Sequence, residues 1–236
     1  MIKFFRKIRY DLMEKNKTGK YLKYAIGEIV LVVIGILIAL QINNWNEERK
    51  ERKIERKMLI ELKGSLQRNI DFTNWAISNN EQKQVSNQII LEHFDDGIQY
   101  QDSLAKHFSN GITWFNVNLE NQAYETLKSV GIHTISNDTI RNMLGILENP
   151  WIEIIGERNE QYFNVVAPTL TDLFESGEMW GNMKPYNYND LVNSKKYRHI
   201  LNTLISNRKW QIEFYKEWQV NYLEIIEVIN RELDKD

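Results

Sequence analysis

The chain contains no cysteine among its 236 residues. Disulfide bonds, thiolate metal sites and cysteine nucleophiles are therefore excluded. Proline is scarce, with three residues, so long helices can form without interruption. Only 11 glycines are present, and they form neither a Gly-rich dinucleotide-binding motif nor a phosphate-binding P-loop. These absences exclude several common classes of enzyme and favour a helical protein.

Charge is distributed unevenly along the chain. The net charge is −2, but residues 1–23 carry eight basic and two acidic side chains, which leaves −8 for residues 24–236. Binding of nucleic acid requires clustered Lys and Arg to neutralise phosphates. The acidic balance of the larger part therefore argues against nucleic acid as a partner.

One long apolar run extends from Tyr24 to Ile42, and residues 29–40 include no polar side chain. In a helix these 19 residues span about 28 Å, close to the hydrocarbon thickness of a bilayer. Tyr24 at one end and Trp45 just beyond the other lie where aromatic rings favour the membrane interface. No small-residue cleavage site follows the run. We therefore expect an uncleaved helix that crosses the lipid bilayer once.

The orientation of this helix is predicted from the basic residues around it. Eight precede the run, and six lie among the first fifteen residues after it. The N-terminal segment also places apolar residues at helical spacing between basic ones, which is typical of a helix on an anionic membrane surface. The positive-inside rule then predicts a cytoplasmic N-terminus and an extracytoplasmic (periplasmic) main domain at the inner, cytoplasmic membrane.

Three residues in the apolar run are candidate membrane-helix contacts: Glu28, Gly35 and Ala39. Ionisable residues within a span commonly have a function, although Glu28 is about one turn from the boundary and its carboxylate can reach the headgroups instead. Gly35 and Ala39 form a small-xxx-small pair on the same side as Gly27, which permits close approach of a second helix. The partner would be a second copy of the chain or another membrane protein.

Helical patterns dominate the rest of the chain. Residues 43–58 are rich in opposite charges at i,i+4 spacing, which predicts a solvated helical stalk. Leu59, Leu62, Leu66 and Ile70 then recur at helical spacing, so the same helix is expected to pack into a bundle. Further helices are predicted over residues 85–94, 119–130, about 138–148, 151–166 and 194–233, with Pro168 ending the fourth or starting a short extra turn.

These patterns predict an all-α fold with three parts. Residues 1–23 form a basic cytoplasmic segment, residues 24–42 the transmembrane helix, and residues 43–236 a helical domain that begins with the stalk. In the last helix a broad apolar stripe that includes Trp218, Tyr222 and Ile225 is expected to face the core.

Two predicted loops, residues 109–118 and 176–190, combine Gly and Asn with aromatic residues. Aromatic side chains on loops of a rigid scaffold often anchor a partner or ligand. Alternatively, these rings fold back over the ends of the bundle. The candidate recognition residues are Trp114, Phe115, Trp180, Tyr186 and Tyr188.

No catalytic or metal-binding motif is apparent in the sequence. The four histidines, at 93, 107, 133 and 199, lack the i,i+4 spacing of zinc-binding helices, although two of them lie near aspartates. No serine lies in a nucleophile elbow. Carboxylates that are distant in sequence can still pair in space, as a hydrolase would need. We therefore assign no catalytic residue, no metal ligand and no cofactor.

Two segments resemble a known family. The first fifty residues, MIKFFRKIRYDLMEKNKTGKYLKYAIGEIVLVVIGILIALQINNWNEERK, resemble the opening of an uncharacterised bacterial domain-of-unknown-function family almost end to end. Residues 123–144, AYETLKSVGIHTISNDTIRNML, resemble a second recurrent stretch of that family. The resemblance implies a single-span membrane protein and adds no activity, cofactor or substrate.

Three functional hypotheses follow from the sequence. The leading one is a non-enzymatic, membrane-anchored interaction or scaffold protein that self-associates through its anchor or stalk. The alternative is a ligand-binding or sensory module that signals through a partner, because about 23 cytoplasmic residues are too few for an output domain. The third is a membrane-bound hydrolase whose acids are separated in the sequence.

Overall fold

The computed structural model describes residue 10 and residues 18–115, 117–148, 150–175 and 181–235. From Thr18 onward, these residues form seven α-helices and no β-strand, and Phe174 and Pro185 form an isolated antiparallel bridge. The helices are α1 (Thr18–Asp95), α2 (Leu104–Ile112), α3 (Gln122–Val130), α4 (Asp138–Met143), α5 (Trp151–Leu173), α6 (Tyr188–Asn193) and α7 (Lys195–Leu233). Two 3-10 helices lie at Ile132–Thr134 and Leu144–Glu148. The predicted all-α fold class is confirmed.

The chain forms two compact units, Met1–Glu55 and Arg56–Asp236, and α1 contributes residues to both. Among the described residues of the first unit, the apolar run of α1 packs against no hydrophobic core. Its large apolar side chains from Ile29 to Leu40 are between 46% and 63% exposed. This helix is long and apolar enough to cross a membrane.

The charged part of α1 in the first unit is helical and carries ion pairs one turn apart. Lys50 Nζ lies 2.9 Å from Glu47 Oε1, and Arg52 Nη1 lies 2.8 Å from Glu55 Oε2. Such pairs stabilise an exposed helix by a few tenths of a kcal/mol each, about 0.2–0.5 kcal/mol. They contribute to the stability of the helix in a segment that has no apolar stripe.

The core of the second unit is formed largely by α1 and α7. Leu59, Leu62, Leu66 and Ile70 of α1 are buried, as their spacing predicted, in one cluster with Trp218, Tyr222, Ile225, Ile226 and Ile229 of α7. Side chains from α3, α4 and the second 3-10 helix complete this cluster. The predicted core-facing stripe of the last helix is therefore confirmed.

A second cluster contains the C-terminal part of α1 and the beginning of α7. Phe94, Phe108, Phe174 and Tyr197 pack there with ring centroids 5.3 to 6.5 Å apart. Aromatic pairs at these separations add about 0.5–1.5 kcal/mol beyond the burial of their area. The cluster joins α1, α2 and α7 with the bridge residue Phe174.

Helix ends follow local signals that the sequence contains. Gly131, with φ of +116°, ends α3, and its N–H donates to Leu127 O. The Asn137 side chain accepts from Ile140 N at the start of α4, and the Ser194 side chain accepts from Tyr197 N at the start of α7. The Asn137 and Ser194 caps each satisfy a backbone N–H that the start of a helix leaves unpaired, whereas the Gly131 N–H satisfies a carbonyl near the end of one.

Several predicted boundaries were wrong. No Gly or Pro separates the helix predicted to begin at residue 85 from the one before it, so α1 continues to Asp95. Helix α5 passes through Pro168, because burial of Val166 and Leu170 on its inner face offsets the helix-breaking effect of proline. Residues 109–112 belong to α2, and Tyr188 begins α6, so both predicted loops are shorter than expected.

Candidate binding groove

A surface groove with a volume of about 580 Å³ lies in the second unit. Helix α5 forms one wall, α7 forms the floor, and residues 117–121, which have no regular secondary structure, form the opposite wall. Leu147 and Pro150 also line the groove. The volume lies within the range of about 300–1,000 Å³ that is common for ligand sites.

The α5 wall is acidic. Glu153, Glu157 and Glu160 line the groove and are exposed, and none forms an ion pair with a described residue. Their spacing of four and three residues places them on one face of the helix. No Lys or Arg is among the described residues that line the groove. The groove therefore carries an uncompensated negative charge.

The floor consists of two aromatic side chains with unused hydrogen-bonding groups. Trp218 and Tyr222 are 6% and 4% exposed, and both line the groove. Among the described residues, neither the indole N–H of Trp218 nor the hydroxyl of Tyr222 has a hydrogen-bond partner. Burial raises the pKa of Tyr222, so its hydroxyl keeps the proton and can donate.

A row of packed aromatic rings supports this floor. Trp210, Phe214, Trp218 and Tyr222 recur every four residues along α7, with successive ring centroids 5.6, 5.2 and 5.7 Å apart. Side chains four residues apart lie above one another on one helix face. Each ring therefore limits the rotamers of the next, and this fixes the side chains of Trp218 and Tyr222 that line the groove.

The opposite wall is held in place by polar side chains of α1. Asn69 Oδ1 accepts from Glu120 N at 2.8 Å, and Asn69 Nδ2 donates to Glu120 O at 3.1 Å. Ser65 Oγ also donates to that carbonyl at 3.0 Å, and Arg68 Nη2 lies 2.7 Å from Glu120 Oε2. The hydrogen bond from Arg68 lowers the pKa of the Glu120 carboxyl. The backbone at residue 120 is thus fixed without belonging to a helix or sheet.

The chain leading into this wall is fixed by a buried cation. Arg208 Nη2 donates to Gly111 O at 2.8 Å and to Thr113 O at 3.0 Å. With its amide oriented to satisfy both partners, Asn87 donates to Gly111 O at 3.0 Å and accepts from Arg208 Nη1 at 2.7 Å. A Cβ at Gly111 would collide with the Asn87 side-chain amide, so this close approach requires glycine.

A second buried cation, Lys83, lies near this network. It is 5% exposed, and its Nζ is 4.9 Å from the centroid of the Phe115 ring. Burial, reinforced by the charge of Arg208, lowers the pKa of Lys83 to about 8.

Most of the predicted recognition aromatics that the structure describes pack within the second unit. The Trp114 ring centroid is 4.0 Å from that of Phe163, and the Phe115 centroid is 4.6 Å from that of Trp75. Tyr188 donates its hydroxyl to Ile98 O at 3.0 Å and packs beside Phe94 and Tyr100.

Tyr186 differs from these rings, because it is 63% exposed. Trp180 lies outside the described residues. None of the described recognition aromatics lines the groove. Their role in recognition stays a prediction.

The candidate membrane-helix contacts lie on the exposed part of α1. Gly35 and Ala39 are exposed, and a Cβ at Gly35 would meet no atom within 4 Å. Glu28 is half-buried. This face is open to a second helix, and its role in association stays a prediction.

The histidines lie apart from the groove. His93 Nδ1 is 3.0 Å from Ile89 O, and His107 Nδ1 is 3.1 Å from Ser86 Oγ. Burial is the main cause that lowers the pKa of His107. In the part of the chain that the structure describes, no three His, Asp or Glu side chains are grouped as metal ligands.

Sequence reasoning missed the groove. The i, i+4, i+7 spacing of Glu153, Glu157 and Glu160 was a visible signal of an acidic helix face. The partner wall was not visible, because it depends on contacts between Asn69 and Glu120 that are 51 residues apart in the chain.

Comparison with known proteins gives one match. Residues 28–117 match the model of a family of unknown function, DUF6090. The matched segment includes most of the apolar run and the charged part of α1, whereas residues 123–144 and the three groove glutamates lie outside it. No curated protein and no solved structure shows significant similarity to the chain.

Proposed function

We propose that this chain is a single-pass membrane protein whose second unit binds a partner outside the cytoplasm. The observation that carries the proposal is the exposed apolar run of α1, whose large side chains are about half exposed in the isolated chain. Removing such a surface from water is favourable by roughly 25 cal/mol per Å². A lipid bilayer is the environment that matches both the length and the apolar character of the run.

The groove of the second unit supports a binding role. One wall is fixed by hydrogen bonds and the floor by packed aromatic rings before any partner arrives, so binding would require little reordering of the chain. The basic N-terminal segment supports an N-terminus on the cytoplasmic side of the inner membrane. Together these features favour an anchored interaction protein over a freely diffusing one.

The proposal is tested by cross-linking in native membranes followed by purification of the full chain and mass spectrometry. A control chain carries an unrelated transmembrane helix in place of residues 24–42. If the wild-type chain stays in the membrane fraction during alkaline extraction, anchoring is supported. If both chains capture the same specific protein, recognition by the second unit is supported. Loss of the wild-type chain from the membrane fraction would contradict the anchor. If the wild-type chain captures only the proteins that an unrelated membrane-anchored protein also captures, the binding role would be contradicted.

A second candidate function is binding of a small ligand, relayed through a membrane partner. The size of the groove favours it, because about 580 Å³ accommodates a drug-sized molecule. A thermal-shift screen of charged and neutral metabolites on the full chain in detergent tests this function. A hydrolase receives less support, since all three groove carboxylates lie on one wall, whereas glycoside hydrolysis uses a pair that flanks the scissile bond.

A further inference from the structure

We infer that the groove binds a basic, extended polypeptide segment of the partner protein, with Lys or Arg side chains directed at Glu153, Glu157 and Glu160. The inference rests on the proposed function, because it names the chemistry of the partner that the second unit recognises.

The charge of the lining selects the sign of the ligand. Three carboxylates line the groove, and no Lys or Arg is among its described lining residues. An anionic segment would meet repulsion from all three, whereas each cationic side chain of a ligand can form a charge-assisted hydrogen bond. The asparagines at 118 and 121 on the opposite wall add neutral polar groups without cancelling this charge.

The spacing of the carboxylates fits an extended chain. Along α5 the Cα atoms of Glu153 and Glu157 are about 6 Å apart, and those of Glu153 and Glu160 about 10.5 Å apart, from the helical rise. In an extended peptide, residues i and i+2 point to the same side and lie about 6.6 Å apart. Lys or Arg side chains at positions i and i+2 of the peptide can therefore contact Glu153 and Glu157. A third, at position i+4, can reach Glu160 because its side chain is long and flexible.

The floor distinguishes a peptide from other cations. The Trp218 indole N–H and the Tyr222 hydroxyl are donors without a partner among the described residues. A polypeptide supplies backbone carbonyl acceptors for these donors together with cationic side chains for the acidic wall. A polyamine has the cations but no acceptor, and a neutral glycan has acceptors but no cation. The aliphatic stems of Lys and Arg can also cover Leu119 and Leu147.

The test measures binding of labelled peptides to the full chain in zwitterionic nanodiscs, which removes anionic lipid as a competing surface. The probe is a heptapeptide that alternates lysine with threonine, and the comparison peptides replace lysine with glutamine or glutamate. We expect saturable binding of the lysine peptide alone, weakened by salt. Equal binding of the glutamine peptide, or no binding of the lysine peptide, would overturn the inference.

Two triple variants locate the binding site. E153Q/E157Q/E160Q removes the acidic wall, and E81Q/E217Q/E224Q removes the same charge from exposed glutamates outside the groove. Three exposed pairs lost together should weaken peptide binding by about tenfold, with less than a twofold change in the control. Equal weakening in both variants would show a general effect of net charge and overturn the inference. Because all six positions are exposed, both proteins should keep the wild-type circular dichroism spectrum.

Y222F tests the floor. It keeps the buried ring and removes one donor, so peptide binding should fall by about three- to tenfold if the hydroxyl bonds a backbone carbonyl. Spermidine should bind equally to Y222F and wild type. Spermidine binding that depends on the acidic wall, without any peptide binding, would overturn the peptide assignment in favour of a small polycation.

The outcomes also separate this inference from the proposed function. If the lysine peptide fails but cross-linking in native membranes still captures a specific partner, the chain is a binding protein that uses another surface. If cross-linking fails as well, both statements are wrong.

Discussion

At the scale of single residues, the second unit contains buried polar groups that differ in how well they are satisfied. Tyr197 is fully buried among aromatic rings, and its hydroxyl has no hydrogen-bond partner among the described residues. Tyr188 is packed in the same cluster, but its hydroxyl donates to Ile98 O. The two tyrosines therefore form a matched pair, in which the same chemical change removes either an unpaired or a paired hydroxyl.

Tyr197→Phe is expected to stabilise the second unit. Burying a hydroxyl without a partner costs about 1–3 kcal/mol, so its removal should raise the free energy of unfolding by about 1–2 kcal/mol. Tyr188→Phe should instead lower it by about 0.5–1.5 kcal/mol. Urea unfolding of the full chain in detergent, followed by near-ultraviolet circular dichroism, measures both. A loss of stability in Tyr197→Phe would mean that its hydroxyl has a partner in solution.

Lys83 gives a pH-dependent prediction. Its pKa is about 8 in the folded chain against an ordinary value of 10.5, so between these pH values the unfolded chain binds more protons. The contribution of Lys83 to the free energy of unfolding should therefore rise with pH from about 8 to 10.5. Below pH 8 both states are protonated, and the burial penalty is present in full.

The measurement compares Lys83→Met with wild type across this range. The variant has no titrating group at position 83. If its free energy of unfolding exceeds that of wild type at pH 7, this difference should shrink as the pH approaches 10.5. Lys209→Met, at an exposed position, serves as the control. A constant difference between wild type and Lys83→Met over the whole range would show that the pKa of Lys83 is not lowered.

At the scale of single elements, α1 shows how far sequence patterns specify this fold. The spacing of Leu59, Leu62, Leu66 and Ile70 identified the buried face correctly, because helical periodicity reports which side meets the core. The break expected near residue 85 was wrong, since a change in side-chain pattern does not interrupt backbone hydrogen bonding. Pro168 was misjudged for a related reason, because tertiary packing offset its local effect.

The groove could be predicted only in part. The acidic face of α5 can be read from the order of its glutamates. The wall at residues 117–121 cannot, because its position results from Arg208, Asn87 and Asn69, which lie far away in the chain. Nothing local in the sequence shows that an asparagine will bond to the backbone of a residue 51 positions later.

The exposed small-residue face of α1 allows a test of association in the membrane. In lipid, helices associate through close backbone contact rather than through removal of apolar surface from water. Gly35→Ile should therefore weaken cross-linked oligomers while keeping a strongly apolar span. Val33→Ile adds bulk elsewhere on the helix and should leave the oligomers intact. If both variants cross-link like wild type, the Gly35 face takes no part in association.

At the scale of the whole molecule, the distribution of charge predicts the topology. Eight basic residues precede the apolar run, and the positive-inside rule predicts that they lie in the cytoplasm. A reporter that is active only in the cytoplasm, fused after Asp236, should stay silent in intact cells. The same reporter fused to the N-terminus should be active. Strong activity of the C-terminal fusion would contradict the predicted orientation.

The pairing of Asn69 with residue 120 has a consequence for solvent exchange. One side-chain amide bonds both the N–H and the C=O of Glu120, as a neighbouring strand would. Hydrogen exchange requires such bonds to open. The amide proton of Glu120 should therefore exchange as slowly as protons within the helices, although it belongs to a segment without regular secondary structure. In Asn69→Leu this single slow proton should become a fast one, while the amides of α7 keep their protection.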